Sequence, residues 1–233
     1  MSYKGVVFDL DDTIWDFNKN SSSAISYIHQ DFCKRYNLEV SEDEFFKMYD
    51  KFNNMLWDEY QRGERTSQSI SYTRFVMVAN HFNVSIDEKE ASVIANIYLD
   101  KLYSGKILMP YAYELLEYVA DKYKVGLITN GFSKGLIRLE NCDIEKFFDF
   151  VITSQMYGKP KPDIGIFQHV ANNLKLNYDE CIFIGDNYEV DIVGAKNAGF
   201  STIFYNVHNY DLEKVDKAAD YIVDSLEEIK EII

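Results

Sequence analysis

Oxygen-bearing side chains follow three short apolar segments of the chain, at the point where each segment ends. The polar stretches that begin there are residues 9–13 (DLDDT), 129–131 (TNG) and 185–187 (GDN). Short apolar segments separated by helical patterns are typical of parallel strands, and ligands bind just beyond the carboxyl ends of such strands. We therefore expect the three stretches to meet at one site that is rich in carboxylates.

The carboxylates of Asp9, Asp11 and Asp186 predict a metal ion at this site. Aspartate is also common in turns and at helix N-caps, and that role stays open for Asp12 and Asp16. Clustered carboxylates repel one another and raise each other's pKa values unless a cation neutralises them. Mg²⁺ prefers oxygen ligands and suits a site that also holds water and phosphate. We therefore expect Mg²⁺ as the cofactor.

Hydrogen-bond donors and positive charge come from two other stretches. Thr129, Asn130 and Gly131 offer a hydroxyl, an amide and an unhindered backbone N–H to phosphoryl oxygens, although such a string alone also fits a turn. Lys159 and Lys161 alternate with two of the three prolines, just before a predicted helix. Because proline restricts the backbone, a lysine in this setting has a set direction.

Together these groups predict phosphoryl transfer through an aspartyl-phosphate. Asp9 lies nearest the strand end and is the predicted nucleophile that attacks phosphorus. Asp11 is the predicted general acid for the leaving oxygen and then the base that activates water. The metal ion and a lysine would neutralise charge on the transferring group.

The composition limits the partners that we expect. The chain has 233 residues, 47% of them hydrophobic, and a formal net charge of −14. This excess of negative charge argues against binding to nucleic acid or to an anionic membrane surface. The three widely spaced cysteines fit neither a disulfide framework nor a paired metal motif, and no signal peptide or membrane span is evident. We expect a cytoplasmic monomer or homodimer that binds a small phosphate monoester.

The pattern of helices and strands predicts two domains. Residues 18–106 show helical periodicity only, with capping-box patterns that begin at Ser41 and Ser85. Residues 1–17 and 107–233 alternate strand and helix, which indicates an α/β fold with a doubly wound, Rossmann-like parallel sheet. We expect an all-helical cap, inserted after the first strand, that lies over the site as a lid.

The whole set of motifs resembles the haloacid dehalogenase (HAD) superfamily of hydrolases. The pattern of that superfamily is DxDxT at the first strand, Ser or Thr at the second, a Lys before a helix and GDxxxxD at a later strand. The matching residues are Asp9, Asp11, Thr13, Thr129, a lysine near position 160, Gly185, Asp186 and Asp191. The resemblance covers the whole chain, and the helical insertion is similar to the helical cap of that superfamily.

The resemblance implies roles for these residues. The implied metal site consists of Asp9, the backbone carbonyl of Asp11, Asp186 and, as a nearby acid that orients water or the lysine, Asp191. The implied phosphate-binding groups are Thr129, Asn130, Gly131 and the lysine. Counting back from Ile166 and Phe167, the KPxxxIF run of the superfamily matches Lys161, which leaves Lys159 as a lesser candidate. One departure is Asp12, where most members have glycine, although aspartate also occurs there among the nucleotidases.

Asp11 favours a phosphatase, because members that cleave carbon–halogen bonds lack the second aspartate. Residues 129–132 (TNGF), residues 138–140 (RLE) and a Leu56-Trp57 pair upstream of Gly63 resemble the branch of 5′-nucleotidases that prefer pyrimidine or non-standard nucleotides. The predicted function is therefore a nucleoside 5′-monophosphate phosphatase. A sugar-phosphate phosphatase or a phosphoglucomutase of the same superfamily remains an alternative.

A non-enzymatic phospho-acceptor or binding module is an alternative from a different class. A receiver domain of this kind would carry its acceptor aspartate on a middle strand and would have no large insertion. Trp57, Tyr60 and Phe75 of the insertion could stack on a base, but aromatic residues at helical spacing more often form the core of the helices.

Overall fold

The structure is a computed structural model that describes residues 3–212 and 218–233. The chain forms two units, of which one consists of Met1–Phe17 with Lys106–Ile233 and the other of Asn18–Gly105. The first unit is built on a parallel sheet, and the second is built from helices. Each unit has its own set of buried side chains.

Six parallel strands form the sheet of the first unit. They are β1 (Gly5–Phe8), β2 (Lys124–Thr129), β3 (Phe150–Thr153), β4 (Cys181–Gly185), β5 (Ser201–Tyr205) and β6 (Tyr221–Val223). Their order across the sheet is β3-β2-β1-β4-β5-β6. The chain therefore proceeds from β1 in one direction and then, from β4, in the other, which leaves a crevice at the carboxyl ends of β1 and β4. The prediction of an α/β, Rossmann-like parallel sheet is confirmed.

Apolar side chains on both faces explain why the middle strands lie in the interior. The residues of β1 and β4 are all buried, as expected for parallel strands that are covered by helices on both sides. One face packs on the helix Ile164–Leu174, where the rings of Phe167 and Phe183 lie 5.1 Å apart in an edge-to-face arrangement. Full burial of a large apolar side chain contributes about 1.5–3 kcal/mol to the free energy of unfolding. The core therefore holds the strand ends in a fixed register.

Nine α-helices occur among the described residues. They are α1 (Phe17–Tyr36), α2 (Glu42–Gln61), α3 (Ser67–His81), α4 (Glu88–Tyr103), α5 (Ala112–Ala120), α6 (Ile137–Asn141), α7 (Ser154–Tyr157), α8 (Ile164–Leu174) and α9 (Gly194–Asn197). A π-helical turn over Tyr188–Val193 leads into α9, and short 3₁₀ turns occupy Ser133–Leu136, Glu145–Phe147, Tyr178–Glu180 and Leu226–Glu231. Among the described residues, no helix is both long and apolar enough to cross a bilayer.

Of the two predicted helix N-caps, Ser41 is confirmed and Ser85 is wrong. Ser41 is the N-cap of α2, and its hydroxyl accepts a hydrogen bond from the Glu44 backbone N–H. Ser85 is not the N-cap of α4, because Asp87 takes that position and accepts from the Glu90 N–H at 2.8 Å. The segment contains two overlapping matches to the pattern, and the carboxylate at the second is the stronger acceptor for an N–H at a helix start.

Aromatic side chains form the interior of the helical unit. The rings of Tyr49, Phe75 and Tyr98 lie 5.5–5.9 Å apart in pairs, and all three are buried. Phe75 is therefore a core residue of this unit. Trp57 is only partly buried and packs beside Tyr60.

Candidate functional site

The ends of β1, β2 and β4 bring the predicted residues together. In the register of the sheet, Phe8 lies beside both Leu127 and Ile184, so the three polar stretches begin within one residue of the same level. The Asp9 backbone N–H extends this pairing and donates to the Ile184 carbonyl at 2.9 Å. The strand ends therefore place Asp9 in the crevice between β1 and β4, where an α/β sheet binds its ligand.

Three buried carboxylates form a cluster in this crevice. Asp9, Asp186 and Asp191 each offer an oxygen, and these oxygens lie within 4.8 Å of one another. Burial, with contributions from the neighbouring carboxylates, raises the pKa of Asp9 well above its usual range, and burial also raises the pKa of Asp191. Positive charge beside the cluster would favour the ionised carboxylates, and oxygen donors at this spacing suit Mg²⁺.

Lys161 supplies one positive charge from the interior of the protein. Its Nζ lies 2.5 Å from Asp9 Oδ1 and 2.6 Å from Asp191 Oδ1, and its side chain is 2% exposed. These carboxylates raise the pKa of Lys161, although burial alone would lower it. A single ammonium group offsets one of three negative charges, so the donor set also fits a bound divalent ion.

Lys159 lies outside the cluster. Its Nζ is 3.1 Å from Asp163 Oδ2, and its side chain is 69% exposed. The geometry therefore favours Lys161 over Lys159 as the lysine of the site.

Asn130 holds the backbone of Lys161 through two hydrogen bonds. Its Oδ1 accepts from the Lys161 N–H at 2.8 Å, and its Nδ2 donates to the Lys161 carbonyl at 3.0 Å. A direct contact of Asn130 with phosphate stays a prediction from the sequence. The structure places the amide as a link between the end of β2 and the lysine.

Asp191 reaches the cluster because β4 ends in a glycine. Its Oδ1 accepts from Lys161, and its Oδ2 accepts from the Asn187 N–H at 3.1 Å. A Cβ at Gly185 would lie 2.5 Å from Asp191 Oδ2 and 2.6 Å from Asp191 Cβ. Any side chain at position 185 would displace this carboxylate from its lysine.

Asp186 contacts Thr13 and His208, for which the sequence predicts no specific role. Its Oδ1 accepts from the Thr13 hydroxyl at 3.0 Å, and its Oδ2 lies 2.9 Å from His208 Nε2. The hydrogen bond with Asp186 raises the pKa of His208. His208 lies a few residues after the end of β5, and this position was the one feature of the sequence that could have pointed to it as a site residue.

The Asp11 side chain contacts Thr129 and Arg138, whereas the Asp9 side chain contacts Lys161. Its Oδ2 accepts from the Thr129 hydroxyl at 3.3 Å, and its Oδ1 forms an ion pair with Arg138 Nη1. The carboxylates that approach one another closely are those of Asp9, Asp186 and Asp191, so a metal role for Asp11 would use its backbone carbonyl. Arg138 belongs to a motif that the sequence pointed to, but it was not predicted as a site residue.

The backbone N–H of Gly131, which was expected to face a phosphoryl oxygen, has a partner within the protein. It donates to Thr129 Oγ1 at 2.9 Å, so in this structure it is not open to a phosphoryl oxygen. The acceptor, the hydroxyl of Thr129, belongs to a fully buried side chain two residues before Gly131. To accept a hydrogen bond from the Gly131 N–H, a phosphoryl oxygen would have to replace the Thr129 hydroxyl as its partner.

Comparisons with known proteins identify the family and the fold. The sequence profile of the haloacid dehalogenase-like hydrolases matches residues 3–199. The pyrimidine 5′-nucleotidase YjjG of Escherichia coli is 28% identical, over 100% of this chain and 99% of the relative. A glyceraldehyde 3-phosphate phosphatase of Methanocaldococcus jannaschii is 27% identical, over 99% and 96% of the two chains. The magnesium-bound structure of YfnB from Bacillus subtilis has the same fold, with a TM-score of 0.86, 24% identity and coverage of 100% and 99%.

Proposed function

We propose that this chain, which belongs to the haloacid dehalogenase-like hydrolase family, is a Mg²⁺-dependent phosphomonoesterase that acts through an aspartyl-phosphate on Asp9. The observation that carries the proposal is the contact of one buried lysine with two carboxylates of the cluster at 2.5 and 2.6 Å, where Asp9 follows the central strand. Such a constellation can both bind an anionic group and attack it.

Asp9 is the proposed nucleophile. Its carboxylate would attack phosphorus while Lys161 balances the charge of the phosphoryl oxygens from its fixed position beside Oδ1. When bound, Mg²⁺ would supply further positive charge at the cluster of Asp9, Asp186 and Asp191 and would help to orient the phosphoryl group. The carbonyl of Asp11 is the proposed fourth protein ligand.

Asp11 is the proposed acid and base. Its carboxylate is 31% exposed, whereas that of Asp9 is 9% exposed. It can therefore exchange protons with a leaving oxygen and with water, as this role requires. Thr129 and Asn130 are proposed to complete the phosphate site, through a hydroxyl and through support of Lys161.

Nucleoside 5′-monophosphates are the proposed substrates. Support comes from full-length similarity to a bacterial pyrimidine 5′-nucleotidase and from a second relative of that name in Streptococcus pneumoniae. A phosphatase for small sugar phosphates is the second candidate, because relatives that carry the name glyceraldehyde 3-phosphate phosphatase match the chain at almost the same identity.

Phosphate release from a panel of substrates tests this proposal. Nucleoside monophosphates, deoxynucleotides and sugar phosphates are compared with Mg²⁺ and with EDTA, and the Asp9→Asn protein, purified in parallel, reports contaminating phosphatase. We expect release that requires Mg²⁺ and is fastest for pyrimidine nucleotides. Release from sugar phosphates alone would replace the nucleotide assignment, and activity that EDTA leaves unchanged would contradict the metal dependence.

A further inference from the structure

The Arg138 side chain lies in the interior, where Gly135, Trp15 and Asp11 are among its contacts. Its Nε donates to the Gly135 carbonyl at 2.9 Å, its Cζ lies 4.4 Å from the centroid of the Trp15 ring, and its Nη1 pairs with Asp11 Oδ1. The side chain is 3% exposed. Holding a long side chain in one conformation costs conformational entropy, and a buried charge is costly unless it is paired. The arrangement therefore depends on Asp11 as the partner of the guanidinium group.

Trp15 belongs to the same loop as Asp11. Its carbonyl accepts from the Asp12 N–H at 2.8 Å, its N–H donates to the Leu10 carbonyl at 2.8 Å, and its ring is fully buried. The surface on which the guanidinium lies is thus built by the loop that carries Asp11. Arg138 joins this loop, which follows β1, to the segment that follows β2.

Each oxygen of the Asp11 carboxylate has its own partner. Arg138 binds Oδ1, and the Thr129 hydroxyl, which also accepts from the Gly131 N–H, lies 3.3 Å from Oδ2. Rotation of the carboxylate would break both contacts, yet about a third of the side chain remains open to solvent. Asp11 is therefore fixed in one orientation without being sealed off.

We propose that Arg138 is a positioning residue, which holds the Asp11 carboxyl group in the orientation that proton transfer to and from the substrate requires. The inference rests on the proposed function. In the first step an Asp9 oxygen bonds to phosphorus, the bond from phosphorus to the leaving oxygen breaks, and that oxygen takes the proton of Asp11. In the second step a water oxygen bonds to phosphorus, the bond to Asp9 breaks, and Asp11 takes one proton of the water, while the other stays on the phosphate that is released.

Substrates with different leaving groups separate this role from a structural one. An alkyl leaving oxygen, as in uridine 5′-monophosphate, needs the proton from Asp11, whereas p-nitrophenolate is a weak base and can leave without it. The quantity to measure is kcat/KM, because it covers the steps up to loss of the leaving group and excludes the later attack of water. We expect Arg138→Met to lower kcat/KM for the nucleotide by about 10²-fold or more and that for p-nitrophenyl phosphate by less than about tenfold.

Rescue and a matched arginine complete the experiment. Guanidinium ion added to Arg138→Ala is expected to restore part of the nucleotide activity, and Arg35→Met, at a partly exposed arginine paired with Asp31, is expected to leave both rates unchanged. Equal losses on the two substrates in a variant with a native circular dichroism spectrum, or no loss on either, would overturn the inference. A wild-type protein that hydrolyses neither substrate with Mg²⁺ would instead overturn the proposed function, and this inference with it.

Discussion

Replacing Asp9 by asparagine is expected to lower kcat by about 10⁴-fold or more while the protein stays folded. The carboxamide is a poor nucleophile, and loss of a covalent nucleophile removes a whole step rather than one interaction. Packing changes little, because asparagine keeps the shape of aspartate and still offers an oxygen to Lys161 Nζ. Steady-state phosphate release with Mg²⁺ measures the effect.

The same substitution should leave the metal-free protein at least as stable as wild type. Burial and neighbouring carboxylates raise the pKa of Asp9, which means that its ionised form is less favourable in the folded protein than in the unfolded chain. A neutral amide removes this repulsion, so the melting temperature without Mg²⁺ is expected to be unchanged or higher.

Asp163→Asn is the matched control for this prediction. Asp163 pairs with the exposed Lys159, and it caps α8 by accepting from the Gly165 N–H, which asparagine can also do. Activity of the control should equal that of wild type. Asp9→Asn protein with wild-type activity would remove Asp9 from the mechanism.

Replacing Lys161 by methionine is expected to reduce both activity and stability. The loss of a fixed positive charge beside the phosphoryl group should lower kcat/KM by about 10²–10³-fold. Without Mg²⁺ the free energy of unfolding should fall by about 3–5 kcal/mol, because Asp9 and Asp191 lose their buried counter-charge. Kinetics and urea unfolding of the metal-free protein measure the two effects.

The loss of stability in Lys161→Met should depend on pH in a defined direction. Burial already raises the pKa values of Asp9 and Asp191 in the folded protein, and removal of the lysine raises them further. A carboxyl group with a raised folded pKa favours folding only while it is protonated, and this contribution is lost as the pH rises through that pKa. The variant should therefore be closer to wild type at about pH 5 than at about pH 8.

Lys159→Met provides the control, because it removes the same charge two residues earlier. Its ammonium group is exposed and contacts Asp163, so an effect of less than about 1 kcal/mol on stability and no change in kcat/KM are expected. A larger effect of Lys159→Met than of Lys161→Met on activity would reverse the assignment of the lysine.

The part of the site that lies on strand ends could be predicted from the sequence. Asp9, Asp186 and Thr129 follow or end apolar segments, and the pairing of parallel strands brings such positions to one edge whatever the details of packing. Strand alternation with helices likewise predicted the Rossmann-like sheet. These inferences need only periodicity and the direction of the strands.

The contacts that depend on side-chain conformation could not be predicted in this way. Arg138 reaches Asp11 from a helix more than a hundred residues away, and His208 reaches Asp186 from the loop after β5. No local pattern records which acid an arginine or a histidine will meet, because tertiary packing decides it. The N-cap of α4 at Asp87 could not be predicted either, because two overlapping capping patterns compete there.

Direct detection of a phosphoryl group on Asp9 is the measurement that tests the central claim most sharply. Wild-type and Asp11→Asn proteins are mixed with Mg²⁺ and p-nitrophenyl phosphate, whose leaving group needs no proton from Asp11. They are then quenched in acid, reduced with borohydride, which converts an aspartyl-phosphate to homoserine, and mapped by peptide mass spectrometry. We expect homoserine at position 9, with more of it in Asp11→Asn because attack by water on the aspartyl-phosphate is slowed. Turnover that continues with no modification at position 9 in either protein would contradict the account.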